Sequence, residues 1–191
     1  EPHSVIGICL GHRGVWWAEI ETLGRIAHGS MPFLGDCAIR HMGALLHRIE
    51  RQLLPKLAMR RTAMPIVPAG ARQSTLNINA IHGGQAESHD GLPSPVVADR
   101  CRMTIDRRFL IEEDLGEVKA ELFEILDQLR RDRPGFAYRI RELMEVLPTQ
   151  TARDAPVVRA VAGAIEQVTG RRPEFVCSPG TYDQKHVHRI A

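Results

Sequence analysis

Apolar and polar positions along the chain repeat with two different periods, and the changes of period divide it into elements. Val5-Ile6-Gly7-Ile8-Cys9-Leu10 is a short apolar run, broken by Gly11 and Gly14 around His12-Arg13, and reads as a strand leading into a hinge. Val15 to Thr22 carries β-branched and aromatic residues with polarity alternating towards its end, as in a half-buried strand. Ala38, Ile39, Met42, Leu45, Leu46, Ile49 and Leu53 recur at helical spacing, with Asp36 near the start and Pro55 as the stop. Lys56 to Ser74, with Pro65, Pro68 and Gly70, has no clear period and reads as an irregular connection with room for one short strand. Thr75 to Ile81, Cys101 to Phe109 and Phe136 to Val146 alternate with a period of two and predict three more strands. Leu115, Val118, Leu122, Ile125, Leu126 and Leu129 mark a second helix, acidic at its front and basic at its back, as the helix dipole favours.

From Trp16 to Val146 the order is strand, helix, strand, strand, helix, strand. That is the split β-α-β arrangement of a ferredoxin-like two-layer sandwich, an α+β fold with two helices on one face of an antiparallel sheet and the other face uncovered. Pro148 to Thr151 reads as a linker. Asp154-Ala155-Pro156 is a cap-and-proline start to a third helix that ends at Gly170, and Phe175-Val176-Cys177 is a strand feeding Ser178-Pro179-Gly180-Thr181-Tyr182-Asp183. The chain opens on Glu1 rather than Met and stops shortly after His186 and His188, so a longer polypeptide is expected.

Composition narrows the class. At 191 residues, 43% apolar and 25% charged, the chain has material for a sizeable core. A net charge of +2 without a polybasic block points away from nucleic acid and from anionic membranes. No apolar run approaches the ~20 residues that span a bilayer and no signal-type segment opens the chain, which makes a cytoplasmic protein the expectation. Cys9, Cys37, Cys101 and Cys177 form no C-x-x-C pair and are expected to be buried reduced thiols.

Candidate chemistry gathers at a few places. Gly24-Arg25-Ile26-Ala27-His28-Gly29-Ser30-Met31-Pro32 holds a histidine in a turn that its glycines and proline keep irregular, either to present His28 as a site residue or simply as a solvated loop. Arg102 and Arg108 share one face of their strand and Arg107 the other; an arginine there grips a carboxylate or lies on a solvated sheet face. Gly180-Thr181 offers backbone N–H groups to a ligand or is a tight turn. The nine histidines lack metal-ligand spacings, His186-x-His188 included, and no self-contained metal site is expected; the serines lack a nucleophile-elbow context.

Taken together, Glu1-Pro2, His12-Arg13-Gly14, the Gly24 to Pro32 stretch, Leu76-Asn77-Ile78-Asn79 with Gly83-Gly84, Ile105-Asp106-Arg107-Arg108-Phe109 and Gly180-Thr181-Tyr182-Asp183 resemble the acetylornithine deacetylase and succinyl-diaminopimelate desuccinylase family of metal-dependent amidohydrolases. The resemblance covers essentially the whole chain. It implies a catalytic domain with two divalent metal ions, zinc with cobalt as the alternative, interrupted by a ferredoxin-like lid that also makes a homodimer. On that pattern residues 1–13 are the edge of the catalytic domain and the hinge, 14–147 the lid, and 148–191 the return into an incomplete α/β catalytic domain. Glu1 matches a metal ligand, His28 the lid histidine that stabilises the oxyanion in the partner subunit, Arg108 the arginine that holds a substrate carboxylate, and Gly180 with Thr181 a substrate-contacting turn. One departure stands out: many members carry an asparagine in an Asn-Val-Val-Pro-like run where this chain has Pro95-Val96-Val97-Ala98, so a side-chain donor is missing. The family's His-x-Asp pair, Glu-Glu pair and last metal-binding histidine are not among these residues.

Two function classes follow. One is part of a metal-dependent amidohydrolase that removes an acetyl, succinyl or formyl group from the nitrogen of a small polar molecule. The other is a stand-alone ferredoxin-like dimerisation or regulatory module, in which His28, Arg108 and Gly180-Thr181 have no reason to work together.

Overall fold

A computed structural model describes residues 6–85, 91–92 and 94–183. Its elements run β1 (Gly7–His12), β2 (Gly14–Leu23), α1 (Ala38–Arg48), a π-helical turn (Ile49–Leu53), α2 (Leu54–Met59), β3 (Thr75–Gly83), β4 (Arg100–Phe109), α3 (Leu115–Asp132), β5 (Ala137–Val146), β6 (Thr149–Gln150), α4 (Pro156–Thr169) and β7 (Glu174–Ser178). Four strands make an antiparallel sheet in the order β3-β4-β2-β5, and β6-β1-β7 make a smaller one in which β1 and β7 run parallel.

The alternation of β2 and β4 decides which face of the larger sheet is covered. Trp16, Ala18 and Ile20 of β2 and Cys101, Met103, Ile105 and Phe109 of β4 pack with Leu45, Ile49, Leu53 and Leu57 and with Val118, Leu122, Ile125 and Leu129 of α3. The opposite face carries a lattice of charges: Arg102 Nε donates to Glu21 at 3.0 Å, with Arg100 and Arg139 each at 3.9 Å, and Arg141 pairs with Glu19 at 3.2 Å. Cross-strand pairs of this kind align neighbouring strands while contributing little energy each.

Several local expectations change. Pro55 does not stop the first helix. The π turn sets it in the first turn of α2, where its missing N–H is not needed, and keeps Leu45, Ile49, Leu53 and Leu57 on the buried side. Asp36 does not cap α1, and neither does Asp154 cap α4: Cys37 and Ala155 hold those N-caps without a side-chain bond. Of the four thiols only Cys101 and Cys177 are buried, because Cys9 lies on the outer face of β1 and Cys37 at a helix start. The aperiodic segment after α2 returns to the small sheet: Val67 N donates to Cys177 O at 3.2 Å and Cys177 N to Pro65 O at 2.9 Å. Met64 and Ile66 thereby join Leu10, Val158 and Cys177 in a second core.

One residue of the alternating set is a charge. Arg107 points to the helix side of β4 with its side chain 1% exposed, between Ile105 and Phe109. Its guanidinium donates to Glu113 Oε1 at 2.7 Å and Ser74 Oγ at 2.6 Å, while Glu113 also accepts from Arg60 Nη1 at 2.8 Å, from Leu110 N at 2.7 Å and from Ser74 Oγ. Burial alone would raise the Glu113 carboxyl, but Arg107, Ser74 and the Leu110 N–H outweigh it and hold the group below its ordinary value. A carboxyl that is lower in the folded state adds stability above its unfolded value, and this is lost as pH falls through the folded one. Glu113→Gln is therefore expected to cost about 3–5 kcal/mol at neutral pH, by leaving Arg107 buried without its hydrogen-bonded charge partner, with only Glu121 at 3.8 Å remaining. Urea unfolding at neutral pH and at about pH 4 checks this, since the variant should lose less stability than the parent on acidification.

Candidate functional site

The hinge end of the large sheet holds the first cluster. β1 passes into β2 through His12-Arg13, and both side chains are buried, at 0% and 7% exposure. Arg13 Nε donates to Pro179 O at 3.1 Å and Nη1 to Gln73 O at 2.9 Å, which ties the Gly180-Thr181 turn to the start of β2 and to the approach to β3. His12 Nδ1 donates to Arg13 O at 2.9 Å, which fixes the tautomer and leaves Nε2 a buried acceptor without a partner.

Arg108 lies on the uncovered face at the same end, because β4 pairs it with Val15 of β2 and Thr75 of β3. Asp106, two residues away on that face, takes its Nε at 2.6 Å and Nη2 at 2.9 Å, and the guanidinium lies 6.0 Å from the centre of the Trp17 ring. Arg108 is thus preset by a carboxylate of its own chain and keeps Nη1 for another acceptor. Burial, and then the facing Arg108, press the Arg13 guanidinium below its ordinary value, with Asp106 pulling the other way. No carboxylate among the described residues lies within ion-pair distance of Arg13, so this end carries one buried positive charge in excess.

His28 lies beyond the other end of β2. The ten residues of β2, at about 3.3 Å each, put the two ends on the order of 30 Å apart. The structure therefore brings Arg108, Gly180 and Thr181 together through Arg13 and leaves His28 far from all of them. The turn is narrower in its offering than the sequence implied: Gly180 N–H already donates to Ser178 Oγ at 3.0 Å, so a ligand contact there falls to the half-buried Thr181.

The His28 loop is held in place from both sides. Arg25 and Asp36 exchange two backbone bonds of 2.8 Å, Val97 N donates to Ala27 O at 2.8 Å, and Gly29 N donates to Pro95 O. The Pro95 to Ala98 run, whose missing asparagine marks the departure from the family, thus supports His28 through its backbone. Asp36 in turn lies 3.0 Å from Nε2 of the buried His41, and Arg133 Nε donates to His41 Nδ1 at 2.7 Å, anchoring the loop to α1 and to the end of α3. None of this is visible in spacing, because Asp36, His41 and Arg133 are far apart in sequence.

On the exposed ring itself, Nδ1 accepts from Ser30 N at 3.2 Å and lies 2.8 Å from Ser30 Oγ. A backbone N–H can only donate, so the neutral ring carries its proton on Nε2, turned away from Ser30 as a free donor. This suits stabilisation of developing negative charge and leaves no acceptor for a general base. Glu1, His186 and His188 lie outside the described residues, and among the described residues no group of three or more His, Cys, Asp or Glu is placed to hold a metal ion. No described helix is long and apolar enough to cross a membrane.

Gly24 is where the loop leaves β2 against α1. A Cβ there would lie 2.2 Å from Asp36 O and 2.8 Å from Ala38 N. Gly24→Ala should push the loop off its seat at a cost of about 1–3 kcal/mol, read as a lower melting temperature with faster amide exchange at Arg25 and Asp36.

Both the sequence and the fold match known proteins. The family described as the peptidase dimerisation domain, of the M20 group, matches residues 10–134. The chain is 30% identical over 176 residues to acetylornithine deacetylase of Myxococcus xanthus, covering 92% of this chain and 42% of that protein. It is 29% identical over 117 residues to succinyl-diaminopimelate desuccinylase of Nitrosomonas europaea, covering 61% of this chain and 28% of that one. Among solved structures, an M20 family metallo-carboxypeptidase from Sulfolobus solfataricus superposes with a TM-score of 0.71 at 17% identity, over 99% of this chain and 51% of that one. Human carnosine dipeptidase 1 gives 0.69 at 17%, over 97% and 48%. The chain spans less than half the length of the curated relatives it matches.

Proposed function

Since this chain belongs to the peptidase dimerisation domain family of the M20 metallo-hydrolases, we propose that it is the lid and part of the catalytic domain of a metal-dependent amidohydrolase. The β-α-β-β-α-β unit, read as ferredoxin-like, is the lid; β1, β6, β7 and α4 are the returning edge of the catalytic domain. The reaction is removal of an acyl group, acetyl, succinyl or formyl, from the nitrogen of a small polar molecule. The observation that carries this reading is the placement of His28: on a braced loop its Nδ1 accepts from Ser30 N and its Nε2 is left outward, too far from its own chain's Arg108 and Gly180-Thr181 to act there. Its target is then the active site of a second subunit.

Two divalent ions would be held by Glu1 together with residues outside this sequence, and would supply an activated water. His28 donates Nε2–H to the carbonyl oxygen as that oxygen gains charge, which stabilises the transition state more than the substrate. Arg108, preset by Asp106, holds a substrate carboxylate with its remaining N–H, and the Thr181 part of the turn bounds the substrate. A non-catalytic dimerisation module would need neither an Nε2–H held free nor an arginine fixed by its own carboxylate.

In the full-length enzyme, His28→Ala is expected to lower kcat by about 100- to 1000-fold with KM little changed. Stripping the metal with a chelator should abolish hydrolysis, and zinc or cobalt should restore it. Full activity of the His28 variant across a panel of acetyl, succinyl and formyl amides would remove the histidine from the mechanism. Arg108→Ala should raise KM more for carboxylate-bearing substrates than for neutral ones.

A further inference from the structure

The loop that bears His28 presents apolar side chains to solvent. Ile26, Phe33 and Leu34 are 61%, 78% and 54% exposed, and Val96, bridged to His28, is 47% exposed. Exposed apolar residues scattered singly need no explanation, but a cluster around one candidate catalytic group marks a contact surface. These side chains are not exposed by slackness. Pro32–Leu34 form a 3-10 turn, Arg25 Nε donates to Leu34 O at 3.1 Å, and the Arg25–Asp36 bonds close the base of the loop. Between Gly24 and Gly35 the only permanent charge is Arg25, and its Nε is taken up by that carbonyl. Recognition by this surface is therefore mainly apolar, with the exposed Arg25 guanidinium as its one charge.

Its occupant follows from the length of the chain and from its geometry. The chain belongs to a peptidase dimerisation domain family and spans 42% of the length of its curated relative, and the hinge cluster of the same chain is a strand length away. We propose that Ile26, Phe33 and Leu34 form an apolar collar that seats on the catalytic half of a second copy of the protein, around the mouth of its active site. There the collar excludes water as His28 engages. The inference rests on the reading that His28 acts across a dimer and adds to it what makes that action effective. An N–H facing a growing negative charge is worth far more in a dry site than beside water, and a rigid apolar rim supplies both docking energy and dryness.

Mixed dimers of the full-length enzyme test this. One chain carries His28→Ala; the other carries Glu1→Ala with Arg108→Ala, which disables its catalytic half. A heterodimer then contains one complete site, built from the first chain's catalytic half and the second chain's loop. Phe33→Ser with Leu34→Ser, added to the loop-supplying chain, should lower the restored kcat/KM by about 10- to 100-fold. The same pair added to the His28→Ala chain should change it less than about twofold, since that loop faces the dead site. Phe33→Tyr with Leu34→Met, which keep the apolar area, should retain activity and show that loss is not misfolding. Equal loss from either chain, no loss from either, or dissociation of the dimer by the serine pair would overturn the collar while leaving trans action standing. Failure of the unmodified pair to restore activity would overturn trans action, and the collar with it.

Discussion

Ten consecutive antiparallel pairs between β2 and β4, from Gly14 with Phe109 to Leu23 with Arg100, set the geometry on which the other features depend. A paired strand is a stiff ruler, because each residue adds a fixed rise and its bonds resist sliding. At one end of this ruler stand Arg13, Arg108 and the Gly180-Thr181 turn; at the other stands His28. No rotation of a side chain brings the two ends together. Any chemistry that uses both must therefore be shared between chains, and this single length makes a dimer part of the proposed mechanism rather than an addition to it.

The same pairing distributes charge. Alternation along β4 sends Arg107 into the helix-covered face and Arg108 to the open one, and the two arginines meet opposite solutions. Arg107 is enclosed by Glu113, Ser74 and, through Glu113, Arg60, with Glu121 at 3.8 Å; its two Nη groups are bonded in this network while its buried Nε has no partner. Arg108 has a carboxylate beside it on its own strand and stays partly open. Of these three, Arg13 has no carboxylate within ion-pair distance among the described residues and is held instead by two carbonyls from separate segments. The guanidinium fastens the hinge mechanically and leaves the field there positive, which favours anionic groups at the hinge end.

Much of this architecture was legible from spacing alone. Period two in Cys101 to Phe109 and the three-four repeat of Leu115 to Leu129 reflect one-sided burial, which is local in sequence and needs no knowledge of the partner. The separation of Arg102 and Arg108 from Arg107 followed from the same alternation. What spacing could not supply were contacts between distant residues: the return of Pro65 to Val67 to β7, the Asp36–His41–Arg133 tie, and Ser178 Oγ claiming the Gly180 N–H. Pro55 was misleading for a related reason. A proline forbids a donor only where one is needed, and a π turn just before it removes the need. The candidate residues His28, Arg108, Gly180 and Thr181 could be named from motifs, but their arrangement could not, since the motif around His28 says nothing of how far it lies from the others.

On the proposed function, the two ends of the ruler suit opposite halves of an amide-hydrolysis problem. A buried excess of positive charge suits holding a substrate carboxylate, but it would be a poor place to let solvent in, because water would screen it. An apolar tip with one outward N–H suits closing over a carbonyl, but it has nothing with which to bind a polar molecule by itself. Neither end is sufficient, and within one chain they cannot combine. On the proposed reading, substrate binding at one subunit's hinge prepares a surface that only the other subunit's tip can complete. The reacting carbonyl then meets its donor in the absence of water, and closure of the lid becomes the step that turns a bound amide into a reactive one.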